Sequence, residues 1–140
     1  MGRAGYVDDM DSQWDFIRWR GAVTSAIRGK RGQAFLREML DALDAMTDKS
    51  LIAEELETNG EVCALGTVGL KRGIDMSKID PEDFDQVSGA FGISGALARE
   101  IMFENDEGTW KKETPQERWV RIRKWVVGQL ISLEGVEPEL

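Results

Sequence analysis

Most acid–base chemistry in proteins runs through histidine, and this chain of 140 residues has none. Every nucleophilic triad built on imidazole is thereby removed, as is any zinc site that uses it. The sequence has one cysteine, Cys63, flanked by Val62 and Ala64. A reactive thiol needs electropositive surroundings, so an apolar setting points to a buried, inert side chain. A single thiol also forms no intramolecular disulfide and leaves a cysteine-rich metal site unfilled. Carboxylates are plentiful, at 26 Asp and Glu. An acid pair able to hydrolyse a substrate is therefore the enzymatic alternative, although no spacing selects the pair. The clusters Asp8-Asp9-Asp11 and Glu104-Asp106-Glu107 lack the ligand spacing and closing Glu of a calcium loop, and are expected to be solvated surface. The segment ALGTVG, with Gly66 and Gly69 around Thr67, lacks the Gly-Lys-Ser/Thr of a phosphate loop. No catalytic residue, metal or cofactor is assigned.

Charge patterning carries more information. The formal net charge is −8, from 18 Lys and Arg against 26 Asp and Glu. That balance disfavours non-specific nucleic-acid binding. Yet Arg18, Arg20, Arg28, Lys30, Arg31 and Arg37 follow one another without an intervening acid. A second basic group, Arg118, Arg121, Arg123 and Lys124, comes just after Lys111 and Lys112. Arg118 and Arg121 are three residues apart and share a helix face. Three readings follow. The bases pair with the acidic segments and coat the surface. They track a nucleic-acid backbone, with Trp110, Trp119 or Trp125 available for stacking, although the last two fit a core stripe better. Or they anchor a protein interface, where Arg and Trp are favoured. The third reading makes Arg18, Arg20, Arg28, Lys30, Arg31, Arg118 and Arg121 the candidate partner-binding residues, with a protein as the expected partner.

The elements that must position these residues are mostly helical. Asp80 reads as an N-cap and Pro81 as the first helical residue, with Ile79 and Phe84 as a hydrophobic staple. Val87 and Phe91 continue the apolar face until Gly92 stops it. Ser94 then caps a second helix carrying Leu97, Ala98 and Ile101. Two helices across a glycine turn outline a helix-turn-helix, whose reading helix would present Ser94 and Arg99 to DNA. Arg99 is the only base there and Glu100, Glu104, Asp106 and Glu107 follow it, which opposes an approach to phosphates. A DNA-binding regulator is therefore an alternative to the protein-binding reading.

Upstream, Asp11 or Ser12 caps a helix to about Arg28. Its stripe is Phe16, Trp19 or Arg20, Val23 and Ile27, widened by Trp14 and Ile17. The run from Arg28 to Gly32 breaks it, and a second helix is expected from about Gln33 to Met46. Asn59-Gly60 suits a type I′ turn, so Leu51–Leu56 and Glu61–Ala64 are expected to pair, the competing reading being a helix ending at Asn-Gly. A short helix over Gly66–Arg72, a connector over Gly73–Lys78 and a polar loop over Asn105–Lys112 follow. Thr114-Pro-Gln-Glu117 is a capping box for the last helix. Its stripe is Trp119, Ile122, Trp125, Val126, Leu130 and Leu133, and Gly135 ends it.

The fold expected is mainly α: one domain over residues 12–135, of four to five helices, with a small β-hairpin near 51–64. A flexible segment 1–11 and an acidic tail 136–140 flank it. No apolar run approaches the ~18–20 residues of a membrane span, and the first residues lack the apolar core of a signal peptide. With one cysteine, a reducing cytoplasm is the expected compartment.

Three stretches, IRGKRGQAFLREMLDALDAM, LIAEELETNGEVCALGTVG and IDPEDFDQVSGAFGISGALAREI, resemble an uncharacterised family of small bacteriophage and prophage accessory proteins. The similarity spans about residues 13–125. It implies a protein expressed in the cytoplasm of a bacterial host, and it transfers no functional motif. With the chemistry above, the function expected is non-catalytic: binding a host or phage macromolecule, with modulation or inhibition of a host system as one form.

Overall fold

The computed structural model describes Arg3 and residues 13–131. Two long helices, α1 (Gln13–Arg28) and α2 (Lys30–Ala45), meet at a bend made by Gly29 alone. The extended backbone of Gly29 lets α2 restart at once, three residues before the expected Gln33. Gly32 is packed where any Cβ would collide with the Ala26 carbonyl oxygen, so the bend requires a residue without one. Val23 and Ile27 of α1 are buried, but Phe16 and Ile17 of the expected stripe are 53% and 54% exposed. The side chain of Trp14, the caps Asp11 and Ser12, and Leu133 and Gly135 lie outside the described residues, as do the rest of segment 1–11 apart from Arg3 and all of the tail 136–140.

The Asn59-Gly60 turn forms, with both residues at positive φ (53° and 83°) as a type I′ turn demands. It joins β1 (Glu57–Thr58) to β2 (Glu61–Val62), paired antiparallel with Glu57 opposite Val62. The ladder is shorter than expected because Leu51–Leu56 is irregular. Its polar groups are satisfied singly: Ile52 N–H donates to the Val62 carbonyl at 2.9 Å and Leu56 O accepts from Cys63 N–H at 3.2 Å.

Cys63 is the N-cap of α3 (Ala64–Arg72), its Sγ accepting from Gly66 N–H at 3.4 Å, and it is fully buried. A 3-10 turn (Met76–Lys78) interrupts the expected connector. α4 (Phe84–Phe91) starts later than Asp80-Pro81 suggested. Asp80 instead accepts from Glu82 N–H in a preceding turn, and Asp83 caps the helix through Asp85 and Gln86 N–H. Gly92, at φ 70°, ends α4, and the Ser94 hydroxyl caps α5 (Gly95–Glu107). α5 runs through the expected polar loop to Glu107. The capping box at Thr114 opens α6 (Pro115–Gln129), which ends at Leu130.

The described residues thus form six α-helices and one two-stranded hairpin, a mainly helical fold as the patterning implied. α2 packs on α1, α3 and α6, while α5 packs on α1, α3, α4 and α6, so these two helices organise the core. Leu36, Met39 and Leu43 of α2 and Leu97, Ile101 and Met102 of α5 are all buried in it. Phe35 meets Phe91 edge to face, ring centroids 6.2 Å apart. No helix among the described residues is long and apolar enough to cross a membrane.

Candidate functional site

The α1–α2 bend and the α4–α5 turn are far apart in sequence and face each other in the fold. The Arg31 guanidinium spans them, its Nη2 donating to the Gly92 carbonyl at 2.8 Å. Between them lies an open cleft of about 400 Å³. Ser25, Ala26, Gly29, Lys30, Arg31 and Gly32 form one wall, and Ile93, Ser94 and Leu97 the other. None of these residues is a carboxylate, and Arg28 immediately precedes the basic wall.

Electrostatics single this place out. α2 begins without a side-chain cap and without an acid in its first turn. Lys30 and Arg31 therefore place two positive charges at the positive end of a helix dipole, an arrangement that costs stability unless an anion offsets it. Arg28 and Lys30 have no hydrogen-bond or ion-pair partner among the described residues.

The other candidate bases sit elsewhere. Arg20 holds Glu100 with two hydrogen bonds, of 2.9 and 3.1 Å, and Glu100 is buried. Arg118 donates to the Leu51 carbonyl at 2.9 Å and lies 3.3 Å from Glu113. Arg121 donates to the Glu104 and Asn105 carbonyls, at 2.6 and 3.2 Å, and to both oxygens of Glu113. These guanidiniums tie α1 to α5 and α5 to α6. Arg18 is exposed on α1, ten residues (about 15 Å) along the helix from Arg28.

Of the two residues assigned to a DNA-reading helix, Ser94 uses its hydroxyl to accept from Leu97 N–H at 3.1 Å while lining the cleft. Arg99 lies over two aromatic rings, 4.4 Å from the Trp19 centroid and 4.7 Å from that of Phe84. The structure thus brings Arg28, Lys30, Arg31 and Ser94 to one locus and distributes the rest. The cleft's apolar wall, Ile93 and Leu97, went unassigned in the sequence. Only an isoleucine directly after the glycine stop hinted at it.

The Glu104 carboxyl has a pKa above the ordinary range. Burial raises it first and the neighbouring Glu100 adds to this, against the pull of Arg121 and Arg20. Glu113 is held below the ordinary range, chiefly by its hydrogen bonds from Arg121. Among the described residues no three His, Cys, Asp or Glu side chains converge as a metal site would require.

No family model, curated protein or solved structure matches this chain.

Proposed function

We propose that this protein acts by binding rather than by turnover, and that its binding surface is the cleft between the Gly29 bend and the Gly92 turn. One contrast carries the reading. In a chain of net charge −8, Arg3, Arg20, Arg72, Arg118, Arg121 and Arg123 are spent on ion pairs that hold the fold, while Arg28 and Lys30 stand unpaired among the described residues beside an open cleft. The cationic rim and the uncapped start of α2 suit a protein segment with acidic side chains. The resemblance noted above puts such an activity in a phage or prophage accessory protein engaging a host or phage macromolecule.

The test is quantitative affinity capture from bacterial lysate at physiological salt, comparing the wild type with Lys30→Glu/Arg31→Glu. The expected result is a specific partner held by the wild type and depleted at least tenfold with the variant, whose circular dichroism is unchanged. Equal capture by both, or no specific partner, would overturn the proposal. Binding of duplex DNA that weakens steeply with salt and disappears in Arg31→Ala would replace the protein partner with a nucleic acid.

A further inference from the structure

The loop between α5 and α6 presents a tryptophan that the fold does not use. Trp110 is 91% exposed. By contrast Trp119 is half-buried and donates its indole N–H to the Leu43 carbonyl at 3.2 Å, and Trp19 and Trp125 pack against the core. An indole in water contributes little burial to stability, so the exposure of this one calls for a use outside the fold.

Its surroundings narrow that use. Lys111 and Lys112 are exposed beside it, and the Lys111 ammonium lies 5.6 Å from the ring centroid. The nearest downstream carboxylate, Glu113, is turned inward to Arg121 and Arg118, at 2.7 and 3.3 Å. That leaves Glu107 as the exposed acid on this stretch, against two ammonium groups. The loop is thus locally cationic on an acidic chain. Gly108 and Thr109 add too little apolar surface to seat the ring in a bilayer, and no apolar residues of the loop surround it as at a protein hot spot. A flat aromatic face with two lysines within reach is the arrangement that holds an unpaired base by stacking and its phosphates by charge.

We propose that Trp110, Lys111 and Lys112 form a stacking platform for single-stranded nucleic acid. It is separate from the cleft: the cleft lies at the N-terminal end of α5 and the platform follows its C-terminal end, roughly 20 Å away along the helix.

The probe is a fluorescein-labelled oligothymidylate of about ten nucleotides, followed by anisotropy at low salt, since one stacked base is worth about tenfold in affinity. The wild type is expected to bind, with affinity falling as salt rises. Trp110→Ala should lose about tenfold, Trp110→Phe should retain most binding, and Lys111→Glu/Lys112→Glu should abolish it, all with unchanged melting temperature. Lys30→Glu/Arg31→Glu should leave this binding intact, so failure of the cleft and failure of the platform are distinguishable. No binding by the wild type, equal binding by Trp110→Ala, or equal affinity for a duplex of the same length would overturn the proposal. So would retention on anionic phospholipid vesicles in preference to the oligomer, which would make the loop a lipid contact instead.

Discussion

Glu54 adopts φ 69°, the left-handed region that side chains other than those of glycine and asparagine rarely enter. Its surroundings explain how it stays there. The Glu54 N–H donates to Asp106 Oδ1 at 3.0 Å, and the same carboxylate receives two hydrogen bonds from Arg3 and one from the Asn105 amide. Arg3 is buried, so this junction pins both the 51–56 segment and Arg3 to α5. Strain at one such residue amounts to about 1–2 kcal/mol. Glycine removes it at a cost of ~0.4–1 kcal/mol in unfolded-chain entropy. Glu54→Gly is therefore expected to raise stability by about 0.5 kcal/mol, and Glu54→Val to lower it by about 1–2 kcal/mol, since a β-branched side chain is least tolerant of that region. Urea midpoints of the two variants against wild type decide this; a Val variant as stable as the wild type would show that the left-handed geometry carries no strain.

Between elements, the decisive groups are those that satisfy polar atoms of another segment. Asn105 is fully buried on α5. Its Oδ1 accepts from Ala64 N–H at 3.0 Å, at the start of α3, and its Nδ2 donates to the Ile52 carbonyl at 2.9 Å. One side chain therefore joins a helix, an irregular segment and the hairpin region. Asn105→Ala leaves a buried donor and a buried acceptor without partners, so a loss of about 2–4 kcal/mol is expected. Thermal and urea unfolding would register it, and a loss under 1 kcal/mol would mean that water replaces the amide. This element also marks the limit of what the sequence disclosed. The capping box at Thr114, the glycine stop at Gly92 and the Asn59-Gly60 turn were legible because each depends on residues within one turn. Asn105 looked like the start of a polar loop because its partners, 41 and 53 residues away, are invisible to local pattern. The same reason accounts for Leu51–Leu56, whose hydrogen bonds go to single distant groups rather than to a ladder. It accounts too for the cleft, where Arg28, Lys30 and Arg31 were picked out by composition but the facing wall of Ile93 and Leu97 depends on how α4–α5 docks. Arg20, Arg118 and Arg121 belonged to the same charge pattern, and only tertiary placement reveals that they hold Glu100, Leu51 and Glu113.

At the scale of the whole molecule, the absence of histidine sets the response to pH. No side chain with an ordinary pKa near neutrality is present, so stability is expected to be flat between about pH 6.5 and 7.5. Acid is different. Glu113 is held below the ordinary carboxylate range by hydrogen bonds from Arg121, Glu38 by those from Arg72, and Asp44 by those from Arg123. Because each folded value is depressed, the unfolded chain takes up these protons first as pH falls. The stabilisation is complete above the unfolded glutamate value of about 4.3 and is lost as pH drops through the folded values. Asp44 is half exposed, so water screens its share, whereas the Glu113 side chain is only 10% exposed and is screened least of the three. Glu104 has the opposite sign: its folded value is raised, so the folded chain takes up that proton first and the charged form is a burden at neutral pH. Two substitutions should therefore diverge. Glu113→Gln is expected to lower stability at pH 7 and flatten the acid limb, because Arg121 and Arg118 keep their charge and lose its partner. Glu104→Gln is expected to raise stability at pH 7, with the gain fading as pH falls below the range where the native carboxyl protonates. Urea unfolding of both variants and the wild type across about pH 3 to 7.5, which brackets the ordinary carboxylate range, measures the two slopes. Parallel curves for Glu113→Gln and wild type would show that the α5–α6 ion-pair network contributes nothing to acid stability, and a destabilised Glu104→Gln at pH 7 would show that Arg121 outweighs burial at that site.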